Sequence, residues 1–300
     1  MNRVFLSRLN HSPHLLLTLA VLFWSGNFIL GRAVRADVPP IGLAFWRWTV
    51  AALLLLGPAL PWLRRDWGTI QQHRPIILLL AALGVTIFNT LVYAGLQHTI
   101  ALNAFLMQTM MPVMIVAMSF VLFRDRVVVL QGAGIAFALS GAVVIIIKGD
   151  FQTLRALSFN PGDILIFMAV MAYAGYSVML RKRPPMHPLS FVWITFALGA
   201  LMLLPFYLWE TFARRAVRWD GLTGAAVLYV AIFPSIISFL CFNRGVELIG
   251  ANRAGLFLYL MPLFGGAMAM FFLGEQLQWF HGAGMVLIVA GILLAVRGRK

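Results

Sequence analysis

Residues 94–114 read AGLQHTIALNAFLMQTMMPVM, and residues 244–264 read RGVELIGANRAGLFLYLMPLF. The two stretches align at an offset of 150 residues, and the register holds without a gap from Gly95/Gly245 to Ile145/Ala295. Twelve of these 51 pairs are identical, among them Ala104/Ala254, Met111/Met261, Pro112/Pro262, Gly132/Gly282, Gly134/Gly284 and Gly141/Gly291. A period of half the chain is far too long for a solenoid unit, so the sequence reads as two copies of one module, residues 1–148 and 149–300.

With 62% hydrophobic and 11% charged residues, the 300-residue chain departs from soluble domains, which average about 25% charged. It reads as a polytopic membrane protein with the lipid bilayer as its surroundings. A net charge of +14 would otherwise suggest a nucleic-acid partner. The basic residues instead lie in short loops between apolar runs, where membrane topology places them, so no nucleic-acid partner is expected. The single cysteine, Cys241, falls within an apolar run and leaves neither an intramolecular disulfide nor a thiolate cluster; no metal and no cofactor are expected. The first apolar run, Pro13 to Ala33, has the roughly 20 residues that cross about 30 Å of hydrocarbon and reads as a transmembrane helix rather than a cleaved signal.

Ten apolar spans are expected, at residues 13–33, 40–62, 75–96, 99–123, 127–147, 162–180, 188–209, 221–243, 253–273 and 277–296. The fold class is therefore all-α, with ten transmembrane helices in two five-helix repeats separated by the polar stretch Lys148 to Asp163. A module with an odd number of crossings starts its second copy from the opposite face, which makes the repeat inverted. Fifteen Lys and Arg residues fall on the side of the termini and seven on the other, which predicts cytoplasmic termini and a multi-pass protein of the bacterial inner membrane.

The remaining one of the 23 cations, Arg47, lies about seven residues inside the second span, roughly 10 Å below the rim. All nine acids lie in loops or near span ends, so Arg47 has no carboxylate at its own depth. It is a candidate anchor for an anionic substrate group; the alternative is an arginine that snorkels or caps a helix. Polar and aromatic stripes at helical spacing accompany it: Trp24 and Asn27 in the first span, Thr86, Asn89 and Tyr93 in the third, Gln108 in the fourth, Tyr173 and Tyr176 in the sixth, Ser235, Ser238 and Asn243 in the eighth. Tyr259 in the ninth and Trp46 beside Arg47 complete the candidate substrate-binding set. Each residue alone could serve helix packing. Jointly, from four or five spans of both modules, they point to one shared cavity for a small-molecule substrate.

Pro112 and Pro262, at matching places in the fourth and ninth spans, are candidate hinges, because proline removes a backbone hydrogen bond and interrupted helices at equivalent positions mark transporter sites. Gly132, Gly134, Gly141, Gly282, Gly284 and Gly291 in the fifth and tenth spans have no polar company and read as scaffold.

WSGNF at Trp24 to Phe28, echoed by YAGYS at Tyr173 to Ser177, the two mid-span Met-Pro pairs, LGE at Leu273 to Glu275 and the following GAG(x6)G resemble the drug/metabolite transporter superfamily, in its ten-helix EamA-like branch. The chain is most similar to bacterial inner-membrane exporters of aromatic amino acids. That resemblance implies a basket of ten helices, cytoplasmic termini, a central cavity lined by helices other than the fifth and tenth, and aromatic amino acids or planar aromatic cations as cargo. It implies alternating access. Small four-helix members couple to protons through a glutamate of their first helix, which is missing here; protons would have to use Glu275, Asp125 or a site near a helix end, and facilitated diffusion is the simpler expectation.

An enzyme is not expected, since no HExxH motif and no nucleophile or paired-acid constellation lies at membrane depth. A channel or a non-transporting subunit is the other alternative, disfavoured because an internally inverted chain suits alternating access. An internally duplicated chain needs no second copy to complete its cavity, so a monomer is expected.

Overall fold

The computed structural model describes residues 11–34, 37–99, 104, 107–150, 152, 160–273 and 278–297. They form ten helical runs: α1 Pro13–Ala33, α2 Pro40–Gln72, α3 Arg74–His98, α4 Met107–Phe123, α5 Val129–Ile146, α6 Pro161–Lys182, α7 Pro188–Ala213, α8 Gly221–Ile249, α9 at residues 251–273 and α10 Trp279–Arg297. Six of them, α2, α3, α5, α6, α7 and α8, are each long and apolar enough to cross a membrane by length and composition. Among the described residues there is no strand.

Two helices outrun their expected spans by six residues or more. α2 continues past residue 62 to Gln72, because Leu63, Asp66 and Ile70 keep a buried face at helical spacing while Arg64 and Arg65 face outward. Its internal prolines, Pro58 and Pro61, lie on the exposed side and do not end it. α8 continues to Ile249, with Arg244 and Glu247 ion-paired at 3.1 Å across one turn, and stops at Gly250, whose φ of 81° only glycine adopts freely. The expected start of the fourth span at residue 99 is not helical: Thr99 is extended, and residues 100–103 and 105–106 lie outside the described set.

The duplication is visible in backbone irregularities. A π-helical stretch interrupts α3 at Ala82–Ile87 and recurs in α8 at Ala231–Ile237. In α9 a 3₁₀ turn at Phe257–Tyr259 precedes Pro262, and in α4 the Met110 amide bonds the Met107 carbonyl at 3.1 Å ahead of Pro112. The reason is local: without an N–H the proline cannot bond the carbonyl four residues back, at Gln108 or Leu258, and the turn upstream tightens. The break thus falls one turn before each proline.

Packing follows the same repeat. α3 lies against α6 as α8 lies against α1, α4 against α6 as α9 against α1, while α2–α7, α4–α9 and α5–α10 are each their own image. α5 and α10 touch backbone to backbone: a Cβ on Gly134 would sit 2.5 Å from the Gly291 carbonyl oxygen, and one on Gly141 would sit 2.6 Å from that of Gly284. In lipid, where apolar side chains gain little by leaving the solvent, such close approach is what holds helices together. The α2–α7 pair is pinned at both ends by acids. The buried Glu210 carboxylate accepts from the Ile41 and Gly42 amides in the first turn of α2, at 3.3 and 2.7 Å. Asp66 of α2 accepts from the His187 amide just before α7, at 2.9 Å. Each carboxylate sits where the partner helix presents unpaired N–H groups and a positive dipole end.

Candidate functional site

Arg47 does not snorkel. It is 1% exposed and every oxygen around its guanidinium is neutral. Nε donates to the Ser235 hydroxyl at 2.6 Å, Nη1 to Asn27 Oδ1 at 3.1 Å, Asn89 Oδ1 at 3.0 Å and Tyr93 Oη at 3.0 Å, and Nη2 to the Pro234 carbonyl at 3.0 Å. The Trp48 ring lies 4.6 Å from the guanidinium carbon. Two of these acceptors come from the π-helical stretch of α8. Pro234 has no N–H for the Val230 carbonyl, and the Ser235 hydroxyl fills that place at 2.7 Å while its lone pair receives Arg47. The Ser238 amide bonds the Phe233 carbonyl, five back, which releases the Pro234 carbonyl to accept from Arg47 and, at 2.8 Å, from Trp24 Nε1.

Arg47 forms part of the wall of a central cavity with Trp24, Asn27, Asn89, Gln108 and Tyr173, closed over by Phe88, Phe239, Met111 and Met261. Four helices of the first module and three of the second contribute. The cavity measures about 20 Å³, room for about one water molecule. Its aromatic wall is continuous: Tyr173 meets Trp24 edge-on at 5.6 Å, Phe88 at 4.7 Å and Phe242 at 5.7 Å. The Gln108 amide nitrogen and the Tyr173 hydroxyl are buried without a hydrogen-bond partner.

A second, open cavity of 720 Å³ enters from the face at which α1 begins and α10 ends. Its lining includes Asp125, Arg126, Arg181, Arg183, Glu247 and Arg253, and it reaches inward to Ser177 and Asn243. Between the two cavities stands Tyr176, wholly buried, whose hydroxyl donates to Asn243 Oδ1 at 2.7 Å. Along α6, Tyr173 faces the central cavity and Ser177, one turn nearer the termini, faces the vestibule, so the Tyr176–Asn243 bond lies in the partition.

Of the candidate residues, Trp24, Asn27, Arg47, Asn89, Gln108 and Tyr173 meet at the central cavity, with Tyr93 bonded to Asn27 and Arg47 behind them. Tyr176 and Asn243 form the partition. Trp46 does not join the group: with Arg47 pointing inward, the neighbouring residue is turned about 100° around the helix, and Trp46 donates to the Tyr207 hydroxyl at 3.1 Å and packs on Trp219. Tyr259 is buried in the 3₁₀ turn of α9 with its hydroxyl unpartnered and off the cavity lining. Asp125, a candidate proton carrier, is bound by Arg181 at 2.6 Å in the vestibule, and Glu275 lies outside the described residues. Among the described residues no cluster of His, Cys, Asp and Glu could hold a metal ion. Sequence reasoning passed over Phe88, Phe239 and the Pro234 carbonyl; a proline within the eighth span was the available signal for the last.

Comparison with known proteins follows this geometry. Residues 11–147 and 160–297 each match the EamA-like transporter family. The chain is similar to the uncharacterized transporter YyaM of Bacillus subtilis (strain 168), 27% identical over 278 residues, covering 91% of this chain and 90% of that one. It is 28% identical over 290 residues to an uncharacterized transporter of Archaeoglobus fulgidus, covering 95% and 98%. It is also 27% identical over 284 residues to a probable terminal-alkyne amino-acid exporter of Streptantibioticus cattleyicolor, covering 94% and 92%. A solved crystal structure, 20% identical, shares the fold with a TM-score of 0.75 over 97% of this chain and 100% of that one.

Proposed function

The chain belongs to the EamA-like transporter family, and from that premise we propose that it exports small amphipathic metabolites, aromatic or apolar amino acids, across the bacterial inner membrane by alternating access. The observation that carries this is the central cavity itself, where a buried guanidinium and aromatic rings converge from both modules. A carboxylate fits the first and an apolar side chain the second. The relative named as a probable terminal-alkyne amino-acid exporter lends weight to the same cargo class.

The open vestibule and the closed centre fit a carrier caught with access from the side of its termini, which the distribution of Lys and Arg puts in the cytoplasm. They argue against a channel, which would need a continuous pore. The tightened turns before Pro112 and Pro262 are the places where α4 and α9 would bend as one module rocks against the other. Among the described residues no acid lines the central cavity, which favours facilitated diffusion over proton antiport of aromatic cations; a pH gradient that drives accumulation in proteoliposomes would reverse that preference. The chain is proposed to work as a monomer.

The direct test is counterflow in proteoliposomes across amino acids and aromatic cations, with wild type and Arg47→Gln. Saturable exchange of aromatic amino acids, lost in the variant, is expected. Undiminished carboxylate transport by Arg47→Gln would remove the anchoring role.

A further inference from the structure

We propose that the site is built for a net monoanion, an apolar or aromatic carboxylic acid whose amine is missing or acylated, in preference to the zwitterionic amino acid. This rests on the transport reading above and shifts its preferred cargo from the zwitterionic amino acid to the related carboxylic acid without a free amine. Three observations carry it.

The first is the charge balance. Among the described residues none of those lining the central cavity is acidic, and the five oxygens around Arg47 belong to amides, hydroxyls and a peptide carbonyl. The wall therefore holds one uncompensated positive charge at membrane depth, where a charge is strongly disfavoured without a partner. A monoanion neutralises it; a zwitterion leaves the net charge as it was and brings an ammonium that must also be desolvated.

The second is the donor and acceptor inventory. Asn27 Oδ1 and Asn89 Oδ1, the acceptors an ammonium would use, both face the Arg47 guanidinium, whose charge repels an ammonium there, and Asn27 Oδ1 also receives Tyr93 at 2.9 Å. The groups left over are the Gln108 amide nitrogen, which can only donate, and the Tyr173 hydroxyl, which can donate its proton to an anion; they are 5% and 2% exposed and without partners. Nη2 of Arg47 has one acceptor for its two N–H groups. Among the described residues the unmet groups at the site are mainly N–H and O–H donors, which suit carboxylate oxygens better than an ammonium.

The third is the approach. The vestibule carries four arginines, Arg126, Arg181, Arg183 and Arg253, against two acids. Asp125 is engaged by Arg181, and Glu247 by Arg183 at 3.4 Å and Arg244 at 3.1 Å. Arg126 and Arg253 have no ion pair among the described residues. Such a basic mouth raises the local concentration of anions and does so less at high salt.

The test uses three ligands with one ring in counterflow: N-acetylphenylalanine (monoanion), phenylalanine (zwitterion) and 2-phenylethylamine (cation), with protein-free liposomes as the leak control. The monoanion is expected to have a KM lower than phenylalanine by about tenfold, the effect of one charge-assisted interaction made by one ligand and not the other. In Arg126→Gln/Arg253→Gln, the monoanion's KM should rise about threefold at low salt and lose its salt dependence. Phenylalanine transported as well as or better than the monoanion overturns the proposal and leaves the amino-acid exporter standing. Preference for the cation overturns it too. Saturable exchange of none of the three defeats the transport reading itself. A salt-independent KM in wild type removes the vestibule's part.

Discussion

The Tyr176 hydroxyl donates to Asn243 Oδ1 at 2.7 Å, and the same bond stands at the equivalent place in the other module with the residues exchanged: Tyr93 donates to Asn27 at 2.9 Å. Asn27 aligns with Tyr176 at an offset of 149 residues and Tyr93 with Asn243 at 150. One bond joins α6 to α8, the other α1 to α3. Inversion puts them on opposite sides of the central cavity, where the first seals the vestibule and the second braces Arg47. In the proposed alternating-access cycle they would serve as its two gates.

Removing the Tyr176 bond should therefore loosen one gate only. With Cys241→Ser as background, Gln108→Cys in the central cavity is expected to react slowly with a maleimide. Adding Tyr176→Phe should speed that reaction about fivefold, the effect of roughly 1 kcal/mol lost from the closed state. An unchanged labelling rate would mean that the partition is held by ring packing alone.

The α5–α10 contact can be tested with a built-in control. Gly134→Ala sets a methyl group 2.5 Å from the Gly291 carbonyl, so the two helices must part, whereas Gly132→Ala meets nothing within 4 Å. Thermal unfolding in detergent should show a loss of about 1–3 kcal/mol for the first and no loss for the second. Equal melting temperatures would show that the pair does not depend on close approach.

Glu210 is buried and accepts from the Ile41 and Gly42 backbone amides of α2. Glu210→Ala leaves those N–H groups unmet and should lower stability by about 1–3 kcal/mol, read from melting temperature. Asp66→Ala at the other end should do the same through His187. Double-variant losses that add would be expected, since the two ends lie far apart along α2.

His187 stacks on Trp62 with ring centroids 3.8 Å apart, and its Nδ1 accepts from the Leu189 amide at 3.3 Å. Burial pushes its pKa below the ordinary value, with Asp66 raising it and Arg65 lowering it again. A base with a lowered folded pKa binds protons better when unfolded, so its contribution is complete above about pH 6.5 and fades as pH falls through that value. Wild type should thus lose melting temperature between pH 7.5 and 5.5, and His187→Gln should lose less. An identical slope in both would assign the acid sensitivity elsewhere.

Much of the fold is legible in the order of residues. The offset of 150 residues, the odd number of spans and the lack of an acid beside Arg47 are properties of spacing and composition. Six of the eleven candidate substrate residues meet at one cavity because a helical stripe that cannot face lipid must face inward. Trp46 went astray since hydrophobicity alone cannot say which way a tryptophan beside an inward arginine turns. The end of α2 went astray since a span was ended at its first charges, while an amphipathic face carried the helix ten residues further.

The sequence by itself determined the all-α class, the duplication, its inversion and the identity of the lone intramembrane cation, because all four depend on order along the chain. Only the tertiary structure decided what that cation touches. The carbonyl of Pro234 and the hydroxyl of Ser235 lie 187 and 188 residues from Arg47, and the carbonyl is released by a π-helical register that no hydropathy pattern records. The direction in which the molecule is open was likewise not written in the order of residues. It follows from which of two nearly equivalent Tyr–Asn bonds has a vestibule behind it.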